Sequence, residues 1–126
     1  MKIVLYSGGA EKENRFLNQR ALELTGVDVP KVTFIPSSSY YAEEDFKYFV
    51  DEFSKLGVQR FMHFCVDTPF TKTLLNEVLR SDLIFLGGGN TFYFLKHLIW
   101  DHLLKLLSYY YQARIIPIYS YNILFC

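Results

Sequence analysis

The chain alternates between two kinds of segment, and this alternation constrains its fold more than any other feature. Short apolar or β-branched runs predict four strands, "KIVLYS" at 2–7, "KVTFIP" at 31–36, "QRFMHF" at 59–64 and "DLIFLG" at 82–87. Longer stretches with apolar residues at helical spacing follow each run. Strands that alternate with helices predict an α/β domain with a mostly parallel sheet and flanking helices.

The helical stretches make the same prediction more specific. They cover about residues 14–24, 42–56, 71–80 and a fourth stretch from Asn90 or Thr91 to about 106. The second is the clearest, because Phe46, Phe49 and Phe53 fall on one stripe and three acidic residues occupy its first turn. Right-handed crossovers then give a three-layer, doubly wound domain of flavodoxin-like type, which binds ligands beyond the carboxyl ends of its strands.

Length and charge limit the classes of function. The 126 residues, 51% of them hydrophobic, predict a single domain spanning 1–126. Thirteen basic and thirteen acidic residues leave no net field to attract nucleic acid or an anionic membrane, so a small peptide or other small molecule is the expected partner. Cys65 and Cys126 match no metal-ligand spacing, and no cofactor motif is present, so we expect no metal or cofactor and a reduced, cytoplasmic setting.

Residues 108–126 differ in character from the rest. They hold five of the ten tyrosines, one positive charge and no acidic residue. Residues 115–119 resemble a fifth strand, but Pro117 has no N–H to donate, which disfavours a central position in a sheet. The segment ends on apolar residues. We therefore expect a truncated or altered C-terminus, with the usual C-terminal part of the domain missing, and association into a homo-oligomer.

Three consecutive glycines, Gly87 to Gly89, end the fourth predicted strand, and Asn90 follows them. Their spacing matches neither a phosphate-binding loop nor a dinucleotide fingerprint. Two interpretations remain from the residues alone. The backbone N–H groups at the helix start face an anion or a developing oxyanion, or the glycines only allow a tight turn with positive φ.

Four sequence blocks point to one family. "LYSGG", "ENRFLN", "VTFIPSSSY" and above all "SDLIFLGGGNTFYFLKHL" (81–98) resemble the dipeptidase E and cyanophycinase family of serine peptidases. The resemblance covers residues 1–98 and extends to about Leu107. It implies an α/β fold related to glutamine amidotransferase domains and cleavage next to aspartate, in α-aspartyl dipeptides or in the β-aspartyl links of cyanophycin. It also implies that Gly88 contributes a backbone amide to the oxyanion hole, with Gly89 and Asn90 shaping the turn.

The family's nucleophile is a serine in a G-x-S-A-G elbow after the next strand. The corresponding sequence here is "IPIYSYNIL", which puts Ser120 at the nucleophile position. Tyr119, Tyr121 and Asn122 stand where small residues and glycine are expected, so the elbow is degenerate. The family's histidine and acidic partners are not recognisable in these 126 residues. We therefore expect the N-terminal portion of a peptidase-type domain, with little or no activity.

Other polar residues have a structural interpretation beside a functional one. Ser7 and Ser37 lie at strand ends, where substrate contacts occur, but turn formation explains them equally well. His63, His97 and His102 are expected to be structural. Cys65 has no evident base nearby and is expected to be a small buried hydrophobe. The aromatic excess of 18% favours core packing over base stacking.

Two alternatives to a peptidase stay open at this level. One is a non-catalytic fragment, indicated by the change in composition after Leu107. The other is a small flavodoxin-like module that binds a phosphate or a flavin at the strand ends.

Overall fold

The fold of the chain is a parallel α/β sheet with helices on both faces, as the sequence predicts. The structure is a computed structural model that describes residues 2–6, 11–100 and 115–119. The strands are β1 (Lys2–Tyr6), β2 (Lys31–Ile35), β3 (Arg60–His63), β4 (Leu83–Leu86) and β5 (Ile115–Tyr119). The helices are α1 (Glu11–Glu23), α2 (Ala42–Ser54), α3 (Lys72–Leu79) and α4 (Thr91–Trp100). All pairings are parallel, in the order β1-β5-β4-β2-β3.

The strand order shows that the connections between strands first move toward one edge of the sheet and then back toward the other. The chain moves from β1 past two positions to β2 and on to β3, then returns to β4 and β5. Because crossovers are right-handed, helices of the outward run and of the return run must cover opposite faces. The packing agrees: α1 and α2 lie on one face, and α3 and α4 lie on the other.

Alternation along the strands supplies both faces with apolar side chains. On β2, Val32 and Phe34 face α1 and α2, while Ile35 faces α3 and α4. On β4, Phe85 belongs to the first face and Leu86 to the second. All four residues of β4 are buried, which is the pattern of a central parallel strand covered on both sides.

Phenylalanine dominates the face under α1 and α2. Phe34 stacks on Phe49 with ring centroids 4.9 Å apart, and Phe49 lies 4.4 Å from Phe53 and 5.1 Å from Phe85. These rings come from β2, α2 and β4, so they pack helix α2 against the middle of the sheet. They place part of the aromatic excess in the core, whereas Phe16, Tyr40, Tyr48 and Phe92 are exposed.

Backbone and side-chain hydrogen bonds fix the register of β2 against β4 at both ends. At the amino end, the N–H of Lys31 donates to Asp82 Oδ2 at 2.8 Å, and the N–H of Asp82 donates to the Lys31 carbonyl at 2.9 Å. At the carboxyl end, the N–H of Gly87 donates to the Ile35 carbonyl at 2.8 Å. Between them the hydroxyls of Thr33 and Ser81, both fully buried, are 2.5 Å apart.

The prediction that Pro117 disfavours a central strand is wrong. β5 lies between β1 and β4, and Pro117 is paired with Val4. The ladder with β1 is continuous over the five residues of β5, whereas its recorded pairs with β4 are Leu83–Ile115 and Leu86–Ile118. Pro117 lies between the two positions at which β5 is paired with β4. The sheet therefore accommodates a residue that has no N–H to donate.

Phe53 carries the clearest test of the aromatic core. It is fully buried in the middle of the ring cluster, so Phe53→Ala should lower the free energy of unfolding by about 3–5 kcal/mol in urea titrations. Tyr48→Ala, on the same helix but with a side chain 76% exposed, is the matched control and should change it by less than about 0.5 kcal/mol. Equal effects of the two substitutions would contradict this description of the core.

Candidate functional site

The topology places a crevice between the carboxyl ends of β2 and β4. From β2 the chain leaves toward α2 on one face, and from neighbouring β4 it leaves toward α4 on the other face. Adjacent parallel strands whose exits diverge in this way leave an opening at their carboxyl ends, where ligands bind in open α/β sheets. Two segments border this crevice: the serine run Ser37 to Ser39 after β2 and the glycine turn Gly87 to Gly89 after β4.

The glycine turn, Gly87 to Gly89, is held closely against β2. A side chain on Gly87 would meet the Phe34 ring at 3.1 Å. Gly89 has φ +139, and a Cβ there would lie 2.0 Å from the hydroxyl oxygen of Ser37. The backbone conformation therefore favours glycine at this point, and any side chain would also force Ser37 to move. The turn is fixed in place by its neighbours.

Asn90 starts α4 as its N-cap. Its side-chain Oδ1 accepts from the N–H of Tyr93 at 3.0 Å, and its carbonyl accepts from the N–H of Phe94 at 3.0 Å. The cap directs the positive end of the helix dipole to the same edge of the sheet as the glycine turn. The predicted start of α4 is confirmed by this geometry.

A carboxylate joins two loops and the start of a helix at this edge. Asp67 Oδ2 accepts from the Ser39 N–H at 2.8 Å, from the Ser39 hydroxyl at 3.0 Å and from the Tyr93 hydroxyl at 3.1 Å. We call these three residues the Asp67 clamp. It ties the loop after β2 and the loop after β3 to the first turn of α4. Asp67 Oδ1 is buried and has no hydrogen-bond partner in the described part of the chain.

Opposing effects set the ionisation of the clamp. Burial alone would raise the pKa of Asp67, but the donors on Ser39 and Tyr93 stabilise the carboxylate and bring the pKa below its ordinary value. The hydrogen bond to Asp67 raises the pKa of the Tyr93 phenol. At neutral pH the clamp therefore consists of a carboxylate and a neutral phenol that donates to it.

The expectation that Cys65 has no base nearby is wrong. Cys65 Sγ lies 3.6 Å from Nε2 of His63, which is on the preceding strand β3. Two residues apart in an extended chain, the two side chains point to the same side. The sequence signal for this contact is the spacing H-x-C at a strand end.

The structure brings together some of the predicted site residues. Ser37 and Gly89 touch across the crevice, and Gly88 and Asn90 belong to the same turn. Ser7, Ser120 and His102 lie outside the described residues. The catalytic and binding roles given to these residues stay predictions. Asp67 and Tyr93 are not among the predicted site residues, although Asp67 follows β3 at the edge where ligands bind in such sheets.

Two further observations concern metals and membranes. Over residues 2–6, 11–100 and 115–119, no group of three or more His, Cys, Asp or Glu side chains is arranged to hold a metal ion. In the same ranges, no helix has both the length and the apolar character needed to cross a bilayer.

The fold and the crevice define the class of this protein as an α/β domain that carries a tight glycine turn at a helix start, at the carboxyl ends of its strands. The model of Peptidase family S51 matches residues 3–118, and the chain belongs to that family. A relative in Bacillus subtilis (strain 168), described as "Uncharacterized peptidase YgaJ", is 28% identical over 114 residues. That alignment covers 83% of this chain and 48% of the relative, so the chain spans about half the length of the curated relative.

Replacing Gly89 tests whether the turn is held against Ser37. Gly89→Ala should lower the free energy of unfolding by about 1–3 kcal/mol and shift the amide resonances of the turn, because it adds both backbone strain and a clash. Gly57→Ala is the matched control, since Gly57 also has positive φ (+92) but nothing within 4 Å of its would-be Cβ. A Gly89→Ala effect no larger than that of Gly57→Ala would argue against the contact.

The Asp67 clamp predicts a pH dependence of stability. The pKa of Asp67 is lowered in the folded state, so its contribution is present above the unfolded pKa of about 3.9 and is lost as pH falls through the folded value. The difference in unfolding free energy between the parent and Asp67→Ala should therefore be constant from pH 7 to about 5 and shrink below about 4.

An exposed aspartate provides the comparison. Asp51, which pairs with Lys55 on the surface of α2 at 2.8 Å, should contribute less than about 1 kcal/mol when replaced by alanine. If the effect of Asp67→Ala is no larger and does not change with pH, the clamp does not stabilise the fold.

Proposed function

We propose that this chain derives from a serine peptidase that hydrolyses peptide bonds next to aspartate. One observation carries the proposal: the glycine turn of an S51 family member lies at the crevice between β2 and β4, at the start of α4. A backbone N–H in such a turn stabilises the negative charge that develops on a carbonyl oxygen under attack. In this scheme Gly88 donates its N–H to the oxyanion, and Gly89 keeps the turn in position.

The surroundings of the turn suit that role. Stabilising an oxyanion requires donors that are already in place, because reorganisation during the reaction would cost free energy. The turn is held by the hydrogen bond from Gly87 to Ile35, by the contact of Gly89 with Ser37, and by the Asn90 cap. The Asp67 clamp adds a further restraint on the first turn of α4.

The position of strand β5 supports Ser120 as the nucleophile. Ile118 of β5 is paired with Leu86 of β4, so β5 ends beside the strand that leads into the glycine turn. Ser120 is the next residue after the last residue of β5. The proposal is that a serine hydroxyl following β5 attacks the scissile carbonyl while the turn binds the resulting oxyanion.

We further propose that the 126-residue chain by itself has little or no peptidase activity. A nucleophile elbow needs small flanking residues, because its strained turn packs closely against its neighbours. Tyr121 and Asn122 are larger than the alanine and glycine expected there. The two histidines in the described region also have other contacts: His63 stacks on Phe46 at 4.7 Å, and His97 lies 4.7 Å from the Tyr93 ring.

Binding and hydrolysis should be measured separately. The purified chain is titrated with Asp-Leu and with Leu-Leu by isothermal calorimetry, and hydrolysis is followed by release of free leucine. We expect Asp-Leu to bind more tightly than Leu-Leu, with no release above the rate in buffer. Ser120→Ala should leave binding unchanged, because this change removes only the nucleophile.

Each outcome separates the two parts of the proposal. Hydrolysis of Asp-Leu that disappears in Ser120→Ala would show that the chain is an active peptidase and that the prediction of inactivity is wrong. Equal binding of the two dipeptides, or no binding of either, would overturn the preference for aspartyl peptides.

A further inference from the structure

Large aromatic side chains are exposed in the segments that continue from both borders of the crevice. After the serine run, Tyr40 is 79% exposed and Tyr41 is also exposed, and their rings meet edge to face with centroids 4.5 Å apart. After the glycine turn, Phe92 in the first turn of α4 is 88% exposed. Apolar rings in contact with water are unfavourable, and a group of them on a protein surface marks a binding site.

The Asp67 clamp brings these two segments together. Asp67 Oδ2 accepts from the Ser39 N–H at 2.8 Å and from the Tyr93 hydroxyl at 3.1 Å, so both segments reach the same carboxylate oxygen. Tyr40 directly follows Ser39, and Phe92 directly precedes Tyr93. The exposed rings therefore stand next to the two residues that the clamp fixes, one on each side of the crevice.

These rings suit an apolar ligand group better than a charged one. Aromatic faces and edges pack favourably against other rings and against aliphatic groups. Tyrosine and phenylalanine have only two side-chain torsions, so little conformational entropy is lost when a ligand orders them. A carboxylate gains nothing from such a surface, because it would lose water without an ionic or hydrogen-bonding partner. In a peptide that contains aspartate, the group that fits is the side chain of the neighbouring residue.

We propose that Tyr40, Tyr41 and Phe92 form an apolar subsite for the residue that follows aspartate in the peptide. The preferred substrates are then peptides in which aspartate is followed by an aromatic or large aliphatic residue. This inference rests on the proposed function, because it takes the crevice as the place where the peptide lies. The subsite contributes to binding and takes no part in bond cleavage, so the chain displays it with or without hydrolysis.

Four dipeptides separate this inference from the proposed function. The purified chain is titrated with Asp-Phe, Asp-Ala, Leu-Phe and Leu-Ala by isothermal calorimetry. The first residue tests the preference for aspartate, and the second residue tests the subsite. We expect Asp-Phe to bind about tenfold more tightly than Asp-Ala, because the larger side chain removes more apolar surface from water.

The outcomes of this titration are distinct. Equal affinities for Asp-Phe and Asp-Ala would overturn the subsite, even if both bind more tightly than the leucyl dipeptides. Equal affinities for Asp-Phe and Leu-Phe would overturn the preference for aspartate, and with it the assignment of the rings to the residue after aspartate. Absence of binding by all four would contradict both proposals.

Single substitutions locate the subsite. Tyr40→Ala and Phe92→Ala should each reduce the preference for Asp-Phe over Asp-Ala by about threefold or more, because each removes a ring that contacts the ligand. Tyr40→Phe should retain the preference, since the ring remains. Phe16→Ala on α1 and Tyr48→Ala in the middle of α2 are the matched controls, because both remove rings that are 76% exposed away from the crevice.

A second copy of the chain is the competing occupant of these rings. Sedimentation velocity of the parent, Tyr40→Ala and Phe92→Ala distinguishes it from a peptide side chain. If both variants dissociate a dimer and leave the dipeptide preference unchanged, the rings form a self-association surface and the subsite is wrong. A loss of preference that is equally large in the Phe16→Ala and Tyr48→Ala controls would also contradict it. Loss of preference confined to Tyr40→Ala and Phe92→Ala would support the subsite.

Discussion

The pairing of β2 with β4 is the constraint on which the rest of this structure depends. It is the point where the chain, having run outward across the sheet, turns back, and right-handed crossovers then require the helices to divide between two faces. Both core clusters are built on the alternating side chains of these two strands. The crevice at their carboxyl ends is a direct consequence, because the connections that follow them diverge. Core and candidate site therefore have the same origin.

The crevice residues also illustrate how structural and functional requirements combine at one turn. The backbone conformation of Gly89 favours glycine, and a side chain there would also displace Ser37. The same close packing gives a backbone N–H the fixed position that an oxyanion needs. The two interpretations of the glycine run that the sequence leaves open are thus compatible. A tight turn is the means by which such a site would be made rigid.

Much of the architecture follows from the sequence, because period and capping are local properties. The helix starts at Ala42 and Thr91, the helix-ending glycines and the four strands are all visible in the order of residues. Contacts between loops, in contrast, cannot be predicted from local sequence. Ser39, Asp67 and Tyr93 come from three separate segments, and only the topology brings them together. The position of Pro117 depends on topology in the same way, since the neighbouring strands decide whether β5 is central.

β5 is paired with a neighbour on each of its edges, β1 on one and β4 on the other. It is paired with β1 over five residues and with β4 at Leu83–Ile115 and Leu86–Ile118. β4 in turn carries core residues on both of its faces. The strand that precedes Ser120 in the sequence is therefore joined directly to the strand that leads into the glycine turn. A change that disturbs this pairing would act on the glycine turn through the backbone of the sheet, whatever side chain it introduces.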